Sequence, residues 1–495
     1  MGVYKKIKPF LKPFLIILAI YCVAMIAIWR ANVAYIDDNG RLITGKGWTS
    51  DFNRYSSSLL SFLLLQMRFS LVDISPWSQI VAMIFLSIAT LIVVWRFGDI
   101  KNKVQLIAGA LIGLTPFTLV CWLYKFDAPC MALALLASVI PFIFTKKKNL
   151  IKFSVISLIC LLVTLTSYQA FCGVYIVLLL ALLLKDIVEQ NKVADNLKTL
   201  GCGLGTMIAA ALFFILILPS PEGYRSTEML ALAELIPGLF RNVGAVFARI
   251  WEVFPINWLT ALMCVIGSYL VSLFVFSKRK GARRLLDVLA GASFFCLAIP
   301  ASYGIYLLLA EAPTNARSLV GIGSVFALMA IFTVNRISSK KILPKIALCV
   351  PACVLVYLFF IFAFTTGNAL AEQRKFSDYI NGELASDLTD IYESREELAN
   401  KKVQIQGGIG YTPSVEHVAD LYPITYDLID DFQVGLSYLS WGSWALRYNY
   451  GLEYNHLGSL ESAWNCDEME QKMDGYYYRI SEKDNNVCIE IKEAK

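Results

Sequence analysis

The chain has 495 residues, 57% of them hydrophobic and 17% charged, and its mean hydropathy is +0.60. That composition excludes an ordinary soluble domain and indicates a polytopic membrane protein. The net charge of +6 hides two parts of opposite sign, because residues 366–495 carry 11 basic and 23 acidic side chains and leave the preceding part strongly basic.

Apolar runs of the roughly 17–25 residues that a bilayer core requires fall near 13–29, 77–95, 104–122, 129–145, 151–167, 171–184, 201–218, 256–276, 286–309, 318–334 and 345–365. About eleven membrane-spanning helices are therefore expected, making residues 1–365 an all-α membrane domain. The first run is longer than a signal-peptide core and no small-residue cleavage site follows it, so it reads as a retained anchor.

After this run comes a long mixed loop, 30–75, whose first charged motif is "YIDDNGR" at 35–41. Its apolar stretch 56–69 is too short to span comfortably and reads as a helix lying at the interface, with Arg54 and Arg68 kept wet. A second long loop, Pro219–Pro255, is patterned as two short amphipathic helices. The loops "LYKFDAP" (123–129), "TSYQA" (166–170) and "AEAPTNAR" (310–317) are short.

Loops rich in Lys and Arg stay cytoplasmic. The segments 1–12, 96–103, 145–152, 185–198, 277–284 and 335–345 hold 23 of the 44 basic residues, whereas the alternate loops hold only 10. With eleven spans and the N-terminus inside, the loop 30–75 and the tail after residue 366 face outward. The tail, 366–495, is expected to be a soluble extracytoplasmic α+β domain: a charge-laced helical segment comes first, then "VQIQGGIGY" and "CIEIKEA" alternate as strands do. Cys466 and Cys488 are its two cysteines, and in an oxidising compartment they can form one disulfide. No CxxC or Cys/His cluster suggests zinc, His417 and His456 receive no catalytic role, and no nucleic-acid partner is implied. The aromatics of 438–456 suit a folded core as well as they suit stacking on sugars.

Adjacent carboxylates are costly to desolvate at a membrane surface and ask for a reason. Asp37 and Asp38 share the outer side with Arg41, Lys46, Arg54, Lys125, Arg225 and Arg317, all in loops able to converge. A carboxylate acting as general base beside guanidinium groups that hold a phosphate suits transfer from a phosphate-linked donor.

"YIDDNGRLITGKGWTSDFNRYSSSLL", followed by "TSYQAF" (166–171) and "TNARSLVG" (314–321), resembles the O-antigen type II modification family of polyprenyl-phosphate-dependent glucosyltransferases, membrane enzymes of the GT-C type. The resemblance implies a GT-C-like fold and a lipid-linked sugar donor, such as undecaprenyl-phosphate glucose or a related hexose. It implies a cell-envelope polysaccharide as acceptor, on the outer face of a bacterial cytoplasmic membrane, and company from a polyprenyl-phosphate sugar synthase and a flippase. Carried over to this chain, the base is Asp37 or Asp38, the donor phosphate falls to Arg41 and Arg317 with Arg54 and Lys125 behind them, and Tyr168 and Gln169 meet the sugar. Asp127 offers a second carboxylate for the acceptor or a metal, or simply pairs with Lys125, two residues away, which is the favoured reading. No metal ligand is assigned, although a divalent metal assisting the phosphate is compatible with the chemistry.

Two other readings use the same residues differently. A lipid-linked sugar flippase or transporter would place ionisable residues near the midplane, and these spans hold few. A glycan polymerase or ligase is poorly separated from a single-sugar transferase by sequence.

Overall fold

The computed structural model describes residues 2–48, 53–66, 70–145, 149–191, 193–218, 228–337, 342–429, 441–456 and 464–492. Arg68, Arg225 and the start of the aromatic stretch, 438–440, lie outside the described residues. Two compact units emerge. The first comprises Met1–Ile26, Trp48–Phe69 and Ile74–Phe364; the second comprises Ala27–Gly47, Ser70–Asp73 and Thr365–Lys495. The division falls inside two helices, Gly2–Ala31 and Ile342–Ile391.

Each of the eleven apolar runs forms helix, but they differ in length. Among the described residues seven helices are long and apolar enough to cross a bilayer, or eight if the bent pair Lys103–Leu114 and Pro116–Leu123 counts as one span. Ala128–Ile143, Leu150–Leu165 and Ile322–Arg336 are apolar but shorter. Sixteen helical residues rise only about 24 Å against a hydrocarbon core of about 30 Å. The helix Ile322–Arg336 is buried on every side from Ile322 to Val334, so this stretch is covered by protein and need not match the lipid.

The bent pair shows how the chain manages a break inside the apolar unit. Pro116 cannot donate to the carbonyl of Ile112, and Thr115, as the residue before a proline, is extended at φ −59° and ψ 146°. The axis turns by 65°. Two carbonyls lose helical partners there, and side chains replace them: Thr118 Oγ1 donates to Ile112 O at 3.2 Å, and Trp122 Nε1 donates to Gly113 O at 2.8 Å. The short helix Pro116–Leu123 that results delivers Tyr124, Lys125 and Asp127 to the start of the helix Ala128–Val139.

Other helices of this unit expose apolar surface. Val193–Leu216 leaves Ile208 and Leu216 60% and 75% exposed. Such a face is costly in water and ordinary against acyl chains. In the second long loop the described residues form one helix, Leu235–Val253, preceded by a 3-10 turn at Leu232–Glu234, where the sequence pattern suggested two helices. Asn242 anchors its inner face by donating to Leu307 O and Leu309 O, both at 2.9 Å, and Ile236, Phe240 and Trp251 line its exposed face.

The second unit holds a five-stranded sheet. Its strands are β1 (Lys402–Gln406), β2 (Asn455–His456), β3 (Glu470–Asp474), β4 (Tyr478–Lys483) and β5 (Asn486–Ile491), in the order β2-β1-β5-β4-β3. β1 is parallel to β2 and β5, and the other pairs are antiparallel. Period-two alternation assigns the two faces. Val403, Ile405, Ile480, Val487 and Ile489 join one core with Ile380, Leu384 and Leu388, which recur every four residues along the helix Ile342–Ile391. The opposite face is polar: Gln404 Oε1 accepts from Trp464 N at 2.8 Å, and Cys466 is bonded to Cys488 across a Cα–Cα distance of 5.8 Å. The expected α+β character of the tail is present, and so are both of its predicted strands. Within the aromatic stretch 438–456, Leu446, Leu452 and Tyr454 belong to the core.

Candidate functional site

In the first unit a buried polar cluster is built on Asp127. Its side chain is 2% exposed at the N-terminus of the helix Ala128–Val139, where unpaired amide dipoles favour negative charge. Trp48 Nε1 donates to Asp127 Oδ1 at 2.5 Å, and Arg54 NH1 reaches the same oxygen at 3.5 Å. The Arg54 guanidinium also lies 5.4 Å from the centroid of the Tyr168 ring, within cation–π range. Tyr168 in turn donates its hydroxyl to Arg317 O at 3.0 Å, and Arg317 NH1 donates to Tyr124 OH at 3.1 Å. Burial pushes the Tyr168 phenol well above its ordinary value, so it stays a donor.

Local structure explains why Arg54 stands here. The helix Tyr55–Leu60 begins directly after it and continues as a π-helix over Ser61–Gln66. Ser56 N donates to Thr166 O at 3.1 Å, and the hydroxyls of Ser56 and Thr166 are 2.7 Å apart. That stitching fixes the start of the helix against the loop that carries Tyr168. The stretch predicted to lie at the interface, 56–69, is thus helical as far as it is described.

The second unit carries the other motif. Asp37 caps the short helix Asp38–Thr44 without a side-chain cap bond, and it is half-buried. Asp38 is wholly buried, and its Oδ2 accepts the Tyr35 amide at 3.0 Å. Arg41 NH1 donates to Lys46 O at 3.1 Å. The helix ends at Gly45, φ +62°, whose N–H donates to Arg41 O; a Cβ there would stand 2.2 Å from Ser70 Oγ. Just before the carboxylates Ile36 holds φ +48°, a left-handed conformation that a Cβ-branched residue adopts only at a cost of about 1–3 kcal/mol. The helix Asp38–Thr44 packs on the helix Trp441–Tyr450.

The residues singled out from the sequence therefore fall into two groups. Arg54, Tyr168 and Arg317 are linked through the Asp127 cluster, Lys125 is buried two residues before Asp127, and Gln169 is half-buried at the first position of a 3-10 turn. Asp37, Asp38 and Arg41 belong to the second unit. Sequence reasoning missed Trp48, which with Arg54 reaches the Asp127 carboxylate. The available signal was the tryptophan itself, since a buried indole N–H requires an acceptor. Among the described residues no three His, Cys, Asp or Glu side chains gather as a metal would need.

Comparison with known proteins places these residues in a family. The profile described as "Glucosyl transferase GtrII" matches residues 26–334, well over half of the chain. The chain belongs to the GtrII glucosyl transferase family. Every candidate residue named above lies inside the GtrII match, while the sheet of the second unit lies beyond it. A curated relative, an uncharacterised 55.3 kDa protein in the gtrB 5′ region of Salmonella phage P22, is 24% identical over 213 residues. That similarity spans 42% of this GtrII chain and 43% of the relative. No solved structure matches significantly.

Proposed function

We propose that the chain moves a hexose, glucose on the family's description, from a polyprenyl-phosphate donor to a cell-envelope polysaccharide at the outer face of a bacterial cytoplasmic membrane. The observation that carries this reading is the glucosyl transferase match over the whole stretch that holds the candidate residues. On this reading the acceptor hydroxyl oxygen attacks the anomeric carbon, the bond from that carbon to the phosphate oxygen breaks, and polyprenyl phosphate departs. The hydroxyl proton passes to Asp37, the half-exposed carboxylate of the pair. Arg41 and Arg317, with Arg54 and Lys125 behind them, offset the charge growing on the phosphate, and Tyr168 and Gln169 contact the sugar. A GT-C-like arrangement of eleven spans belongs to the same proposal. Reconstituted protein supplied with polyprenyl-phosphate glucose and the delipidated polysaccharide of its bacterium should form glucosylated polysaccharide; donor left intact after prolonged incubation would count against it.

The outward topology rests on the alternation of basic loops and on the Cys466–Cys488 bond, which suits an oxidising compartment. Ser414 is exposed in the tail. Ser414→Cys, in a background lacking the exposed Cys264 and Cys296, should react with an impermeant maleimide in intact cells. Labelling only after permeabilisation would invert the proposed orientation.

The phosphate role makes a separate demand on the arginines. Lys preserves the charge but not the planar fork that grips two oxygens. Arg41→Lys and Arg317→Lys should each lower turnover, by roughly tenfold or more. Wild-type turnover in both variants would leave these arginines as interface anchors.

A further inference from the structure

The tail displays two exposed tyrosines, Tyr379 and Tyr476, that the proposed chemistry does not use, and the ring between them, Tyr477, packs against the core. Tyr476 is 78% exposed and Tyr379 is 53% exposed; Tyr426 and Tyr448 of the same unit are exposed too, but only Tyr379 and Tyr476 pack against one common ring. The two are joined through Tyr477. The Tyr477 ring meets Tyr379 at 5.9 Å and Tyr476 at 4.9 Å, both at 84°, and its other neighbour is Phe376 at 6.1 Å. Tyr379 and Phe376 come from one face of the helix Ile342–Ile391, and Tyr476 and Tyr477 from the β3–β4 turn.

The turn is held in place. Gly475 N donates to Tyr478 O at 2.9 Å, Lys492 N donates to Tyr477 O at 2.7 Å, and the Lys492 ammonium meets both Asp474 at 2.5 Å and Gly475 O at 2.7 Å. A turn whose backbone is fixed in this way loses little freedom on binding, which is what a recognition surface needs. Glu383, exposed one turn after Tyr379 on the same helix, adds carboxylate oxygens able to accept from hydroxyl groups.

Charge narrows the identity of the occupant. The tail holds 23 acidic against 11 basic residues, so it is repelled by anionic lipid headgroups and by polyanions. An uncharged chain rich in hydroxyls is not repelled. Its C–H faces fit the negative faces of aromatic rings, and its hydroxyls fit the tyrosine and glutamate oxygens. We propose that Tyr379, Tyr476 and Tyr477 form a docking platform for a neutral polysaccharide. It holds the acceptor chain through residues other than those assigned to chemistry.

The idea rests on the transferase reading only in taking polysaccharide as the partner. The test uses full-length protein in nanodiscs and, as probe, the immobilised delipidated O-polysaccharide of the bacterium that carries the gene, read by surface plasmon resonance and by transfer kinetics. Wild type should bind, and Tyr379→Ala with Tyr476→Ala should raise Kd by roughly tenfold, two aromatic contacts being removed. The same double variant should raise the acceptor KM and leave kcat unchanged, while Tyr379→Phe with Tyr476→Phe should keep most of the binding. Both positions are exposed, so unfolding temperature should not move. No binding by wild type, or equal binding by the alanine variant, overturns the platform, as does a change in oligomeric state with binding intact. Tyrosine-dependent binding without any glucose transfer would sustain the platform and sink the transferase reading instead.

Discussion

Asp37→Asn is expected to lower sugar transfer by about 10²–10⁴-fold, the usual cost of removing a positioned general base, while the protein stays folded in the membrane. Its neighbour should behave differently. The Asp38 carboxylate is wholly buried and accepts the Tyr35 amide, so it shapes the turn that presents Asp37. Asp38→Asn keeps an oxygen for that amide and should retain more activity than Asp37→Asn. Asp38→Ala removes that acceptor, at a cost of about 1–3 kcal/mol. Initial rates and thermal unfolding of the purified variants separate these effects. Loss of transfer in Asp38→Asn alone, without a change in unfolding, would move the base to Asp38. Normal rates in both amides would take the base out of this loop.

The second large effect is on stability. Asp127→Ala should destabilise the first unit by about 3–5 kcal/mol, because it removes the buried carboxylate that the Arg54 guanidinium and the Trp48 indole N–H share. Asp127→Asn retains an acceptor oxygen for Trp48 and should lose less. Trp48→Phe removes the donor and keeps most of the ring, so it should fall between wild type and Asp127→Ala. Unfolding followed by tryptophan-independent light scattering or differential scanning calorimetry in detergent would rank the three. An Asp127→Ala protein as stable as wild type would show that the cluster relaxes around the lost carboxylate. A fall in donor affinity in Asp127→Asn, with unfolding unchanged, would show that the cluster orients Arg54 for the phosphate and not only for the fold.

What the sequence disclosed follows from the range over which each signal acts. Apolar runs and period-two alternation are local, and the helices from Trp77–Phe97 to Ile342–Ile391 and the strands β1 and β5 could be read directly. Positions of breaks were harder. The run 104–122 is apolar enough to pass as one span, and only Pro116, with Thr118 and Trp122 ready to satisfy the freed carbonyls, reveals that it bends. Contacts between distant residues leave no periodic trace, so the bond from Trp48 to Asp127, 79 residues apart, was invisible. The division of the first loop was hidden for the same reason: nothing in "RLITGKGW" announces that Gly47 and Trp48 belong to different compact units.

The order of strands in the tail bears on how the protein is made. β5 is the latest of the five strands to be synthesised, yet it sits in the middle, between β1 and β4. Until residues 486–491 exist, β1 has no central partner and the β3–β4 hairpin has nothing to dock on. The nascent tail must therefore wait as an open chain with unpaired edges, which are templates for aggregation, and its contacts are of high sequence separation, which slows closure. A premature stop before Asn486 would not shorten this unit at its margin but remove its centre, so such truncated chains should be cleared by proteolysis even when every membrane helix is intact.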